Sequence, residues 1–124
     1  MFDGYGILHY YPTWWLIVRV PGDVCKYYRK LVFYNRFLRL NPSKCESHIT
    51  IVAGKYERPD EAYASLWGKY EGERIEFKYS PEIDTNDEYF WAKVECKRIE
   101  DIREEMGLPP KILYPWHLTI GNII

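Results

Sequence analysis

His48-Ile49-Thr50-Ile51 and His117-Leu118-Thr119-Ile120 write one pattern twice, in a chain of 124 residues with three histidines and four threonines. Chance placement would seldom set a threonine two positions after a histidine even once. Here it happens twice, each time alternating with aliphatic residues. On a β-strand, residues i and i+2 share a face and the residue between them points the other way. His48 and Thr50 then look out of one side of a strand with Ile49 and Ile51 anchored behind, and His117 and Thr119 do the same with Leu118 and Ile120. Two imidazoles and two hydroxyls are the groups that in-line displacement at a phosphate requires. One ring removes the proton of the nucleophile, the other protonates the leaving oxygen, and neutral donors hold the non-bridging oxygens. Imidazole titrates at a pKa of about 6.5, so near neutral pH one ring can be neutral while its partner is cationic.

The elements around these motifs read as an alternation of strands and helices. A short strand over Ile7 to Tyr11 ends at Pro12-Thr13. Trp14 to Val20 is a second strand, with Trp14, Leu16, Val18 and Val20 on one face and Trp15, Ile17 and Arg19 on the other; apolar groups on both faces predict a central position. Pro21-Gly22 breaks it and Asp23 caps a helix running to about Leu38 or Leu40, with Lys26, Arg29, Lys30, Arg36 and Arg39 mainly on its solvated side. The first His-x-Thr strand follows. Pro59-Asp60-Glu61 opens a helix that Gly68 stops after Trp67. Arg74 to Tyr79 and Tyr89 to Cys96 alternate cleanly and predict a hairpin. Ile99, Ile102 and Met106 mark a second packing helix ended by Gly107 and Pro109-Pro110, before the second His-x-Thr strand. Strand, helix and His-x-Thr strand thus occur twice. This duplication of architecture predicts an α+β fold, one domain over 1–124, with two pseudo-symmetric βαβ-type lobes whose antiparallel sheets meet at a central cleft.

Composition narrows the function. A net charge of −1 argues against a binder of long phosphate backbones, while five Trp, twelve Tyr and five Phe suit a surface that stacks on bases. Cys25, Cys45 and Cys96 have no metal-ligand spacing and read as reduced, packed thiols. No signal peptide, membrane span or lipidation motif is evident, so a cytoplasmic location is expected, with no membrane partner. His9 is a third imidazole; joined to His48 and His117 it would complete a zinc set, but no acidic or Cys ligand is placed to help, and a solitary surface or core role is the expectation. Lys44, Lys55 and Arg74 are candidates to attract a phosphate against a default of solvated charges, and Trp116 is expected to pack behind His117.

Paired His-x-Thr strands in two lobes resemble the two-histidine (2H, LigT-like) phosphoesterase superfamily. The small size, the separation of the motifs and the stretch Trp14-Trp15-Leu16-Ile17-Val18 are most like its compact phage branch, the anti-CBASS cyclic-oligonucleotide nucleases. The resemblance implies His48 and His117 as the catalytic acid and base, Thr50 and Thr119 as phosphate-binding, no cofactor and no metal. It implies a small nucleotide substrate: a cyclic di- or trinucleotide, or alternatively a short RNA end, a 2′,3′-cyclic phosphate or a 2′,5′ linkage; the non-catalytic alternative is a sponge that kept the cleft and binds the cyclic nucleotide without cutting it. It also implies an aromatic clamp on the base, for which Tyr10, Tyr11 and Trp67 are the candidates, and action in a host cytoplasm.

Overall fold

The computed structural model describes residues 1–12, 14–42, 47–112 and 115–123. In chain order these form β1 (Phe2–Tyr11), β2 (Trp15–Arg19), α1 (Gly22–Arg36), β3 (His48–Val52), a 3-10 segment (Glu61–Leu66), β4 (Arg74–Tyr79), β5 (Asp84–Thr85), β6 (Tyr89–Glu95), α2 (Lys97–Glu105) and β7 (His117–Asn122). All pairings are antiparallel, in the order β4-β1-β2-β3-β7-β6-β5, and β4 also pairs with β6. That last pairing closes six strands into a barrel with β5 as a short appendage. The class is α+β. No helix among the described residues is long and apolar enough to cross a membrane.

The closed sheet replaces the two facing sheets expected from the sequence. The reason is β1, which starts at Phe2 rather than Ile7 and spends its extra length on β4, from Phe2 opposite Tyr79 to Ile7 opposite Arg74. The two-fold relation survives inside the barrel. Exchanging β1 with β4, β2 with β6, α1 with α2 and β3 with β7 leaves the strand order unchanged. Two units, β1-β2-α1-β3 and β4-β6-α2-β7, therefore meet where the motif strands pair.

The symmetry reaches single residues. Between β2 and β3 the register jumps from Leu16 opposite Val52 to Ile17 opposite Thr50, so Ile51 is an extra, bulged residue. Between β6 and β7 it jumps from Phe90 opposite Gly121 to Trp91 opposite Thr119, and Ile120 is the extra one. Each motif strand is bulged at the residue after its threonine. A bulge breaks the in-out alternation and bends the strand, which is why Ile51 and Val52, and Ile120 and Gly121, are buried consecutively.

One face of the barrel sheet carries Leu8, Leu16, Val18, Ile49, Ile75, Val94 and Leu118, packed with Cys25 of α1 and with Ile99 and Ile102 of α2. A second cluster joins Tyr28 and Val32 of α1 to Phe90, Ala92 and Ile120. Burial of this face anchors both motif strands, and their polar side chains are left on the other.

Local expectations hold unevenly. α1 begins at Gly22 with Asp23 in its first turn, and stops at Arg36, where Phe37 turns left-handed at φ 56°. Arg29 lies on the packed side of α1, not the solvated side, donating to the Ile120 carbonyl at 2.9 Å. The helix expected from Pro59 is a 3-10 segment capped by Asp60, with no fully buried residue to sustain an amphipathic α-helix. The hairpin of Arg74–Tyr79 with Tyr89–Cys96 is reduced to Lys78 with Glu95 and Tyr79 with Val94, while the other edge of β4 pairs with β1 along its whole length.

Two contacts make the fold testable. A Cβ on Gly121 would stand 2.5 Å from the carbonyl oxygen of Asn41, where the chain leaving α1 bridges to Asn122. Gly121→Ala should cost roughly 1–3 kcal/mol in denaturant unfolding, and an unchanged midpoint would contradict this close approach. Separately, Arg98 grips Glu73 through two bonds of 2.9 Å, and its guanidinium holds the Glu73 carboxyl below the usual carboxylate range. The lowered folded-state value means the pair stabilises above the unfolded carboxyl pKa of about 4.3 and that this contribution is lost as pH falls through the folded value. Glu73→Gln should lower Tm slightly at pH 7, the pair being part-exposed, and the deficit should shrink to nothing in acid. A deficit that grows in acid would overturn the assignment.

Candidate active site

Ile49 of β3 pairs with Leu118 of β7. One step along an antiparallel ladder in either direction sets His48 opposite Thr119 and Thr50 opposite His117. The four motif side chains thus occupy the corners of a square on one face, imidazoles on one diagonal and hydroxyls on the other. Opposed Cβ atoms in such a ladder stand roughly 4.5–5.5 Å apart and diagonal neighbours roughly 7–8 Å. Two rings at the longer spacing flank a group the size of a phosphate, and the hydroxyls reach it from the remaining corners. His48, Thr50 and Thr119 are half-buried and His117 is exposed.

The adjoining strands extend the square. Arg19 of β2 is opposite His48, and Lys93 of β6 is opposite His117. Each histidine therefore has a cation as its outer neighbour, Arg19 for His48 and Lys93 for His117, with the Asp84 carboxylate 3.8 Å from Lys93 Nζ partly offsetting the second. The Trp15 ring meets His48 edge-on at 5.6 Å and stacks on Tyr11 at 4.6 Å. Tyr11 in turn holds Arg19, accepting from Nη2 at 3.1 Å with the guanidinium over its ring. On the other side Trp91 lies 6.4 Å from His117. Here a cavity of about 340 Å³ is lined by Asn86, Tyr89, Trp91, Pro115, His117 and Thr119, within the size range of small-ligand sites. A flat aromatic wall and an imidazole around one hollow, with Lys93 opposite His117 on the ladder, suit a nucleotide.

The Nδ1 of His117 is 3.3 Å from the Pro115 carbonyl oxygen. A carbonyl only accepts, so Nδ1 is the donor of this contact and carries the ring proton, with Nε2 as the other ring nitrogen. Of the described thiols, Cys25 and Cys96 are buried, which pushes both above the ordinary range, and Cys25 donates to the Thr119 carbonyl from behind the strand.

The structure divides the residues singled out from sequence. His48, Thr50, His117 and Thr119 come together, and Tyr11 joins them through Trp15. Tyr10 does not. As the neighbour of Tyr11 on a strand it points to the opposite face, where it is buried against Trp67 at 5.0 Å and burial pushes its phenol up to about 12. Trp67 donates from its indole to the Tyr11 carbonyl at 2.9 Å and packs on the core. It supports β1 from the side away from the histidines. His9 lies on β1, separated from β3 by β2, with Nδ1 2.9 Å from Glu71. It does not join His48 and His117, and no three His, Cys, Asp or Glu gather as a ligand set among the described residues. Lys55 lies over Tyr56 beyond the end of β3. Arg74 sits over Tyr5 at 4.0 Å, in a separate cavity of about 760 Å³ where Asp3, Glu76 and Glu95 offset its charge and that of Lys78. Trp116 is buried behind His117, donating to Glu100. Lys44 and Cys45 lie outside the described residues.

Arg19, Trp15, Trp91 and Lys93 were not legible as site residues. Their parity was: each sits opposite in phase to buried neighbours on its strand, which places it on the polar face. Which motif each one flanks depends on register, and register depends on the bulges.

No protein-family model, curated protein or solved structure matches the chain. The geometry alone carries the functional reading.

If the square is one site, titration with a dinucleotide bearing a phosphorothioate linkage should shift the imidazole NMR signals of His48 and His117 along one saturation curve, with His9 moving less. Two curves with different midpoints would mean two separate sites.

Proposed function

We propose that the protein is a metal-independent phosphodiesterase of the two-histidine kind, acting on small nucleotides. One observation carries this reading: the register that sets two imidazoles diagonally across two threonines on one solvent-facing square. The nucleophile, a ribose 2′-hydroxyl or a water, gives its proton to one imidazole as its oxygen bonds to phosphorus. The bond from phosphorus to the 5′-oxygen breaks with its electron pair, and the other imidazolium protonates that oxygen. Protons balance, since the two rings exchange charge states over the step. Thr50 and Thr119 donate to the non-bridging oxygens, where charge concentrates. Arg19 and Lys93 draw the anion in, an effect that salt screens.

The favoured substrate is a cyclic di- or trinucleotide with 3′,5′ linkages. Indoles beside both histidines and cations beyond them provide for a nucleoside on either side of the scissile phosphate. A terminal 2′,3′-cyclic phosphate, the alternative, would use one side only. The two-histidine resemblance extends the proposal to the 2H-phosphoesterase fold, and to phage counter-defence against cyclic-oligonucleotide immune signals in a host cytoplasm.

The test is chromatography of a panel of cyclic and linear nucleotides after incubation with wild type and with the double variant His48→Ala, His117→Ala. Conversion by wild type alone supports the proposal. Tight binding of an intact cyclic nucleotide would make the protein a sponge instead. Turnover should follow a bell-shaped pH profile and persist in EDTA. His117→Ala should lose a factor of about 10²–10⁴ in rate, whereas Thr50→Ala should keep measurable turnover; full activity in His117→Ala would refute the mechanism.

A further inference from the structure

The two motif strands are bridged at Ile49 and Leu118, and each is bulged two residues further on. A bulged residue drops out of the ladder, so its carbonyl needs another donor. Both carbonyls find an arginine. The Ile120 oxygen of β7 accepts from Arg29 Nη1 at 2.9 Å, and the Ile51 oxygen of β3 accepts from Arg103 Nη1 at 2.8 Å. Arg29 belongs to α1, in the unit containing β3, and Arg103 belongs to α2, in the unit containing β7. The support is crossed. Each helix holds the bulge of the other unit's motif strand.

We propose that Arg29 and Arg103 are positioning residues that set the aim of the paired motifs across the unit boundary, Arg29 for His117 and Thr119, Arg103 for His48 and Thr50. This rests on the phosphodiesterase reading for its kinetic consequence but not for its structural one. A bulge fixes the twist of a strand and re-aims the side chains beside it, and the residue next to each bulge is the motif threonine. With so short a ladder between β3 and β7, the relative placement of the two motifs is set from behind by the helices. Arg103 is fully buried, is paired with Glu57, and also donates to the Pro109 carbonyl. Arg29 is half-buried with a single such bond among those described, and is the more tractable of the two.

The experiment compares wild type with Arg29→Met and Arg29→Lys, after circular dichroism has shown both variants folded. In Arg29→Met the NMR signals of the His117 imidazole and of the Thr119 to Asn122 amides should move while those of His48 and Thr50 stay. The kcat for a cyclic dinucleotide should fall roughly 10–100-fold with KM within about twofold, and Arg29→Lys should recover part of the loss. Arg103→Lys, with its fold checked in the same way, should give the mirrored pattern, moving His48 and Thr50 and sparing His117. Unmoved His117 and Thr119 signals, or equal movement at both motifs, would overturn the crossed arrangement. If wild type turns over no nucleotide, the phosphodiesterase reading fails while the NMR pattern still decides this one.

Discussion

The contact on which everything else depends is the pairing of Ile49 with Leu118. A square of two histidines and two threonines requires those residues to be opposed. A slip of one residue would turn one motif into the core and bring one pair of aliphatic side chains out. The apolar residues of both strands resist that slip, because Ile49, Ile51, Leu118 and Ile120 are all essentially inaccessible to solvent. Burial of the aliphatic half of each motif thus specifies the position of the polar half.

The bulges add a second condition. They let β3 and β7 part after a brief contact while each keeps its outer neighbour, β2 or β6. The carbonyls released by this arrangement would be costly if left unpaired in the interior, about 1–3 kcal/mol each. The guanidinium groups of Arg29 and Arg103 meet that need with charge-assisted bonds. For Arg103 the requirement is severe, since a buried guanidinium needs a counter-charge, and Glu57 supplies it. No buried side-chain nitrogen or oxygen among the described residues is left without a partner.

Near-symmetry in the scaffold coexists with a chemical difference at the two rings. His48 is half-buried beside Trp15 and faces an arginine, while His117 is exposed beside Trp91, faces a lysine and anchors Nδ1 on a carbonyl.

The duplicated motif, the strand phases and both helices were legible in the amino-acid sequence, because each rests on a local period that a window of residues displays. Two and 3.6 are properties of the backbone, and the alternation of His-Ile-Thr-Ile states its own face. The closure of the sheet was not legible, since it came from β1 pairing far along the chain over residues with weak patterning. The 3-10 segment was misread because capping residues announce a start without saying whether enough apolar surface follows to sustain an α-helix. Tyr10 and Trp67 looked like neighbours of the motifs, yet parity and packing carried them to the other face. Arg29 looked solvated until the Ile120 carbonyl was seen to need a donor. By itself the sequence determined the duplicated His-x-Thr pattern and which way each of its residues faces on its strand. Only the tertiary structure decided which of them meet, because register, bulges and the carbonyls they release arise from pairing between strands distant in the chain.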